Sequence, residues 1–297
     1  MDFQNTLMLK AAFTIASKTG ADAVLLHADP LDDLHYAERI PKKTKLILLT
    51  RKKRAESGVD DKASLSSHAS AIISLPRSAL TRIAIIKVGT TLALSQELLQ
   101  PGARVVFAVG GPESSAIDLI QSVDTSKESD IITGRGIMKI AEAVQPEIFQ
   151  SVLNLAIELA DKGREGKPVG TIFVVGDHEK VLQISKQMIM NPFKGYDEEE
   201  RNVLHPGLKD TIREFSAMDG AFVIADDGTV LAAGRYLGAA IDESQLPRGL
   251  GSRHLAAAGI TSLTSALAFV ISESSGDVRI FKDGQIIMHI EKAPSKK

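Results

Sequence analysis

The sequence has no cysteine. That absence excludes disulfides, thiolate nucleophiles and Cys-ligated zinc or iron–sulfur centres, and it fits a cytoplasmic location. An excess of charge of one sign is also missing: 35 Lys and Arg stand against 37 Asp and Glu, a formal net charge of −2. No global field recruits nucleic acid or an acidic membrane, so neither is an expected partner, and an anionic ligand must be held by a local site. The opening residues Met1-Asp2-Phe3-Gln4-Asn5 carry an acid and no cationic leader, so no signal peptide is expected. One long uncharged run, Leu255 to Ser272, contains Gly259 and five Ser or Thr residues. It is too polar to span a bilayer comfortably and reads as a buried helix followed by a strand.

What is present is ordinary globular material, 44% hydrophobic and 24% charged over 297 residues, enough for one large or two ordinary domains. The first part alternates helix and strand signals. Leu7 to Lys18 has helical apolar spacing, and Asp29-Pro30 opens a capped helix. A longer helix is expected from Ala79 to about Leu99. Ala23–Leu26, Lys45–Thr50, Ala71–Leu75 and Arg104–Val109 are near-continuous apolar runs, the pattern of parallel strands covered on both faces. The expectation is a small doubly wound parallel-sheet α/β domain over residues 1–125. Val88-Gly89-Thr90-Thr91 and Gly110-Gly111-Pro112 match no phosphate-binding fingerprint and read as turn or packing positions. The basic run Arg51-Lys52-Lys53-Arg54 reads as a solvated loop.

The polar stretch Ser122 to Asp130 suggests a boundary, and residues 126–163 a linker and helix, with Pro146 opening a helix that runs to about Lys162. Residues 164–297 then read as a mixed-sheet α/β domain. Thr171–Val175 is a strand and His178 to about Met190 a helix. Leu208–Phe215 is another helix, and Phe222–Ala225 with Thr229–Ala233 a hairpin. Ser252 to about Thr264 is a helix and Ala268–Ser272 a strand. Asp277–Phe281 and Gln285–Ile290 form a last hairpin, and Lys292 to Lys297 a frayed tail.

Two stretches carry chemistry. Met218-Asp219-Gly220-Ala221 puts a carboxylate before a glycine at the start of a strand. Gly251-Ser252-Arg253-His254 puts a guanidinium and an imidazole at a helix start. A carboxylate able to hold a divalent metal, opposite a cationic pair, suits a polyphosphate. Each residue also has a plainer reading. Asp219 can be a turn residue, Gly220 a turn glycine, Arg253 a surface ion pair and His254 a structural histidine.

In order and spacing, Asp219-Gly220-Ala221, Gly251-Ser252-Arg253-His254-Leu255-Ala256-Ala257 and Ser272-Glu273-Ser274-Ser275-Gly276 resemble the motifs of the diadenylate cyclase family. The resemblance covers about residues 165–290, and the pairing of this stretch with the N-terminal domain resembles the archaeal branch. Residues 1–125, with Pro101-Gly102 before Arg104–Val109 and Gly110-Gly111 after it, loosely resemble the C-terminal domain of pyruvate kinase. The resemblance implies condensation of two ATP into cyclic di-AMP and two pyrophosphates at a face-to-face homodimer, with Mn²⁺ or Mg²⁺. It implies Asp219, Arg253 and His254 as catalytic residues and Asp219 and Glu273 as metal ligands. Gly220, Ala221, Leu237, Gly251, Ser252 and Ser272 would contact nucleotide; core packing is the plainer reading of Leu237. The family's second arginine is Leu255 here, so Arg235, Arg248 or a residue of a second copy would have to supply its charge. A non-catalytic adenine-nucleotide sensor is the alternative, and a nucleic-acid scanner is weakened by the balanced charge.

Overall fold

A computed structural model of the chain describes residues 3–31, 44–52, 65–112, 114–126, 140, 143–239 and 247–294. The chain divides into two compact units, residues 1–135 with 293–297, and residues 136–292. The capped helix expected after Pro30, the basic residues Lys53-Arg54, the start of the expected linker at 127–139 and the last three residues of the tail fall wholly or largely outside the described residues.

The first unit is built on β1 (Ala23–His27), β2 (Lys45–Thr50), β3 (Ala71–Ser74), β4 (Arg104–Val109) and β5 (Leu119–Asp124) in the spatial order β3-β2-β1-β4-β5. β1 pairs in parallel with β2 (Val24↔Leu46) and with β4 (Val24↔Val106). These strands are apolar throughout because both faces are covered. Helix α1 (Phe3–Thr19) lays Leu9, Ala12, Phe13 and Ala16 on Val24, Leu26, Leu46, Leu48, Val106 and Ala108. The short helix α2 (Leu65–His68) precedes β3, and α3 (Arg82–Ser95) follows it, capped by the Thr81 hydroxyl, which accepts from the Ala84 amide. Gly89 lies inside α3, where a Cβ would come 2.8 Å from a Leu49 methyl. Thr90 and Thr91 donate back to the carbonyls of Ile86 and Lys87. These positions serve helix–sheet packing. β5 is a correction to the polar boundary expected from Ser122: it pairs antiparallel with β4 (Val106↔Ser122), leaving Val123 buried and its neighbours partly exposed. Edge pairing outweighs its weak local propensity.

The second unit carries a seven-stranded mixed sheet of order β12-β11-β10-β6-β8-β9-β7. Its strands are β6 (Thr171–Val175), β7 (Ser185–Gln187), β8 (Ala221–Ile224), β9 (Val230–Leu237), β10 (Leu267–Ile271), β11 (Val278–Lys282) and β12 (Gln285–Ile290). β6 and β8 are parallel, whereas β10 is antiparallel to both β6 and β11. Alternation sorts the side chains onto two faces. Ile172, Val174, Val223, Ala268 and Val270 pack against Ala257, Ala258 and Ile260 of α7 (Ser252–Leu263). Phe173 meets Phe222 at 5.2 Å on the other face, and Phe269 meets Phe149 of α4 (Pro146–Lys162) at 5.6 Å.

The helix expected from His178 to Met190 is corrected. Helix α5 (His178–Gln183) stops short, and Ser185–Gln187 returns as the edge strand β7, pairing with Arg235–Leu237. Arg235 fixes the break, its guanidinium donating to the carbonyls of Leu182 and Ser185 at 2.7 Å each. Those carbonyls are thereby partnered without a continuing helix. Helix α6 (Leu208–Phe215) precedes β8. Among the described residues no helix is long and apolar enough to cross a membrane.

One polar cluster in the first unit gives a measurable consequence. At the carboxyl ends of β1 and β2, Asp29 accepts from Thr50 Oγ1 and from Arg51 Nε, both at 2.6 Å, with His27 Nε2 at 3.4 Å. Burial alone would raise the Asp29 carboxyl, but the bonds from His27, Thr50 and Arg51 outweigh it and hold the group well below its ordinary value of 3.8. The stabilisation is fully present above that ordinary value and is lost as pH falls below it towards the folded value. Asp29→Ala should therefore cost about 3 kcal/mol at neutral pH. Urea unfolding should also show a shallower loss of stability on acidification below pH 4 than in the unsubstituted chain.

Candidate functional site

Strand register brings the chemistry-bearing residues to one edge of the second sheet. β6 and β8 begin there and β10 ends there, since Ile271 pairs with Thr171 and Ile172 with Ala221. Gly170, Asp219-Gly220 and Ser272-Glu273 are thus neighbours although the sequence separates them by up to a hundred residues. Gly251, in an extended conformation, starts α7 and presents Ser252 and Arg253 in its first turn. The positive end of the helix dipole faces the same space.

Arg253 is the centre of this edge. Its Nη1 donates to Glu273 Oε2 at 3.1 Å, and its Nη2 lies 4.0 Å from Asp219 Oδ1. Three recesses share its guanidinium. A cleft of about 870 Å³ is lined by Lys167, Ser252, Arg253, His254, Ser272, Glu273 and Arg279 among others. A second, about 290 Å³, has Met188, Asp219, Gly220, Ala221, Tyr236 and Leu237 on its walls. A third, about 360 Å³, adjoins Arg164, Lys167, Asp219 and Glu273. The largest falls within the range of small-molecule sites.

Two glycines make the arrangement possible. At Gly170 an added Cβ would sit 2.6 Å from Arg253 Nη1 and 3.0 Å from the Glu273 Cβ, so a side chain there would push the guanidinium out of its present position. Gly220 has φ +99, and a Cβ there would meet the backbone of Gly234 and Arg235 at 2.7 Å. Its close approach is therefore to strand β9, which keeps Asp219 beside the 290 and 360 Å³ recesses. Leu237 is buried with the α7 core cluster and also closes the 290 Å³ recess.

The remaining residues divide clearly. Ser272 joins the turn beyond β10, its hydroxyl within hydrogen-bonding distance of Ser274 Oγ and the Ser275 amide. His254 is only 6% exposed. Its Nε2 faces Arg279 Nη1 at 3.4 Å, while its Nδ1 is buried without a hydrogen-bond partner. An arginine can only donate, so Nε2 is the acceptor and Nδ1 carries the proton. Leu255 packs on the core cluster rather than on the cleft wall. Arg248 is exposed outside the cleft lining, and Arg235 spends its guanidinium on Leu182 and Ser185.

Sequence reading missed Lys167 and Arg279, which place two further cations on the cleft. A charge inside the apolar strand Val278–Lys282 was the available signal for Arg279. Among the described residues no group of three or more His, Asp or Glu could hold a metal ion. Asp219 and Glu273 both face Arg253, and two carboxylates by themselves fall short of the oxygen ligands a hard divalent cation takes.

Residues 158–286 match the family described as DisA bacterial checkpoint controller nucleotide-binding, and residues 4–129 match the probable sensor domain DacZ_P. A diadenylate cyclase of Methanocaldococcus jannaschii is 39% identical over 71% of this chain and 67% of its own length. A diadenylate cyclase of Haloferax volcanii is 35% identical over 69% of this chain and 74% of its own. A solved pyruvate kinase of Cryptosporidium parvum is 14% identical, with a TM-score of 0.30, over 42% of this chain and 23% of that one. That likeness is too low to carry an argument.

The electrostatics of His254 are testable directly. Burial, then the charge of Arg279, push its imidazole down from 6.5 to about 4. It is therefore neutral at pH 7. Because the folded value is depressed, its contribution to stability is whole above pH 6.5 and drains away as pH falls towards about 4. NMR titration should show the His254 ring holding the Nδ1–H tautomer from pH 8 to 5.5. A midpoint near 6.5 would contradict the burial and the Arg279 contact.

Proposed function

Because the chain belongs to the diadenylate cyclase family, we propose that it joins two ATP molecules into cyclic di-AMP with release of two pyrophosphates. The single observation that supports this most is Arg253, placed between two carboxylates at a helix N-terminus and shared by three recesses.

In this reading each turnover forms two bonds from a ribose 3′-oxygen to an α-phosphorus and breaks two bonds to pyrophosphate. The hydroxyl protons leave to solvent. Arg253 and the first turn of α7, with Gly251 and Ser252, bind the phosphates, and Ser272 borders them. Leu237 with Tyr236 and Met188 receives the adenine-bearing end, where Gly220 and Ala221 form the floor. Asp219 and Glu273 would hold a divalent ion, Mn²⁺ or Mg²⁺. When bound, that ion would neutralise the α-phosphate and make the attacking hydroxyl more acidic.

His254, being buried, acts by orienting neighbouring groups rather than by carrying charge. One cleft of this kind serves one ATP, so closing the ring takes a second copy facing the first, and the working unit is a homodimer. Residues 164–297 form the catalytic domain, 126–163 lead into it, and 1–125 form a companion sensor domain.

Incubation of the full chain with ATP and Mn²⁺ or Mg²⁺, followed by mass spectrometry, should yield cyclic di-AMP, and EDTA should abolish it. Asp219→Asn should lower kcat by at least about 100-fold. Its side chain is 86% exposed, so the thermal midpoint should stay unchanged. Folded protein that binds ATP and forms no cyclic product with either metal is instead an adenine-nucleotide sensor, and the cyclase reading fails.

A further inference from the structure

The geometry points to Arg279 as a second phosphate-binding guanidinium of the cleft, held in place by Asp277. The inference rests on the reading of the cleft as a nucleotide polyphosphate site and deepens it.

Arg279 sits on β11 opposite Val270, whose side chain belongs to the face covered by α7. Its flanking residues Val278 and Ile280 are buried at 1% and 0% exposure, so the strand is fixed on both sides of it. The arginine side chain is itself 16% exposed. A cation withdrawn this far from water needs partners, and it has two on the protein. Nη2 donates to Asp277 Oδ2 at 3.2 Å, and Nη1 faces His254 Nε2 at 3.4 Å.

Asp277 is fixed in turn. His289 Nε2 lies 3.0 Å from Oδ2, and the Lys292 amide donates to Oδ1 at 3.2 Å. Burial alone would raise the Asp277 carboxyl, but the bonds from His289, Lys292 and Ser275 outweigh it and keep the group below its ordinary value. The carboxylate therefore orients the arginine and is not itself free for a cation.

Two of the five N–H donors of Arg279 are used in these bonds, and the guanidinium lines the 870 Å³ cleft with Lys167 and Arg253. Its planar fork is pre-ordered, so little rotamer entropy is lost on meeting phosphate oxygens. His254 is neutral and adds no charge to this wall. The guanidinium charge on this cleft therefore comes from Arg253 and Arg279, with Lys167 as an ammonium beside them. Arg279 supplies the second cation that position 255 does not.

A purely structural arginine would weaken every ligand alike when removed, whereas a phosphate contact discriminates by phosphate number. Binding of ATP, ADP, AMP and adenosine to the full chain in Mg²⁺ buffer, measured by calorimetry, separates the two. Arg279→Gln should weaken ATP binding roughly tenfold to hundredfold, the range of a charge-assisted bond, and adenosine by less than about twofold. Arg279→Lys should restore part of the ATP loss. Should Arg279→Gln not fold, Asp277→Asn keeps the guanidinium and loosens it, and should give the same selectivity at smaller amplitude. Equal losses for ATP and adenosine, or an unchanged ATP affinity in a folded variant, would overturn the assignment. A parent protein that binds ATP without making cyclic di-AMP fails the cyclase reading but leaves this comparison decisive for Arg279.

Discussion

A guanidinium suspended between two carboxylates, at the one sheet edge where three strand ends and a helix start meet, is the contact on which the candidate site depends. Arg253 reaches Glu273 at 3.1 Å and stands 4.0 Å from Asp219, in the space that Gly170 leaves open. All three side chains are substantially exposed, at 37%, 59% and 86%. Such pairs are worth only about 0–1 kcal/mol, so they do not hold the fold together. That weakness suits a site whose cation has to change partners. A bidentate phosphate contact is stronger than either exposed carboxylate contact and can take the arginine over.

What does hold the fold is apolar layering. The second sheet separates its side chains by simple alternation, with Val174, Val223 and Val270 towards α7 and Phe173, Phe222 and Phe269 on the opposite face, where Phe269 meets Phe149 of α4. Covered on both faces, the strand ends can carry polar residues without weakening the core. Gly220 transmits this rigidity outward. Its positive φ and its contact with the Gly234–Arg235 backbone place Asp219 beside the two smaller recesses, although that side chain is nearly free in solvent. On the same cleft, the bonded series His289, Asp277, Arg279 and His254 is less exposed than the pair Arg253 and Glu273.

Much of this was legible in the sequence, for identifiable reasons. Buried strands such as Ala23–His27 and Thr171–Val175 declare themselves by continuous apolar runs, and α4 by its amphipathic spacing. The motifs around Asp219, Arg253 and Glu273 were legible through their order and spacing, which resemble the diadenylate cyclase family. What stayed hidden depends on contacts distant in sequence. The break after Gln183 is fixed by Arg235, about fifty residues away, and β5 exists because β4 offers it an edge. Leu255 drew attention as a missing charge, yet its side chain is partly buried and packs against the core cluster. Arg279 went unnoticed because its importance lies in the neighbours that α7 brings to it.

If Arg253 occupies the carboxylates until a polyphosphate arrives, Asp219 and Glu273 should bind a divalent cation poorly alone and well with nucleotide. Electron paramagnetic resonance of Mn²⁺ titrated into the full chain, with and without a non-hydrolysable ATP analogue, measures this directly. The account predicts weak binding to the protein alone and at least about tenfold tighter binding once the analogue supplies phosphate oxygens. It also predicts that Arg253→Ala raises affinity for Mn²⁺ in the absence of nucleotide. Equally tight Mn²⁺ binding with and without the analogue, unaffected by Arg253→Ala, would contradict it.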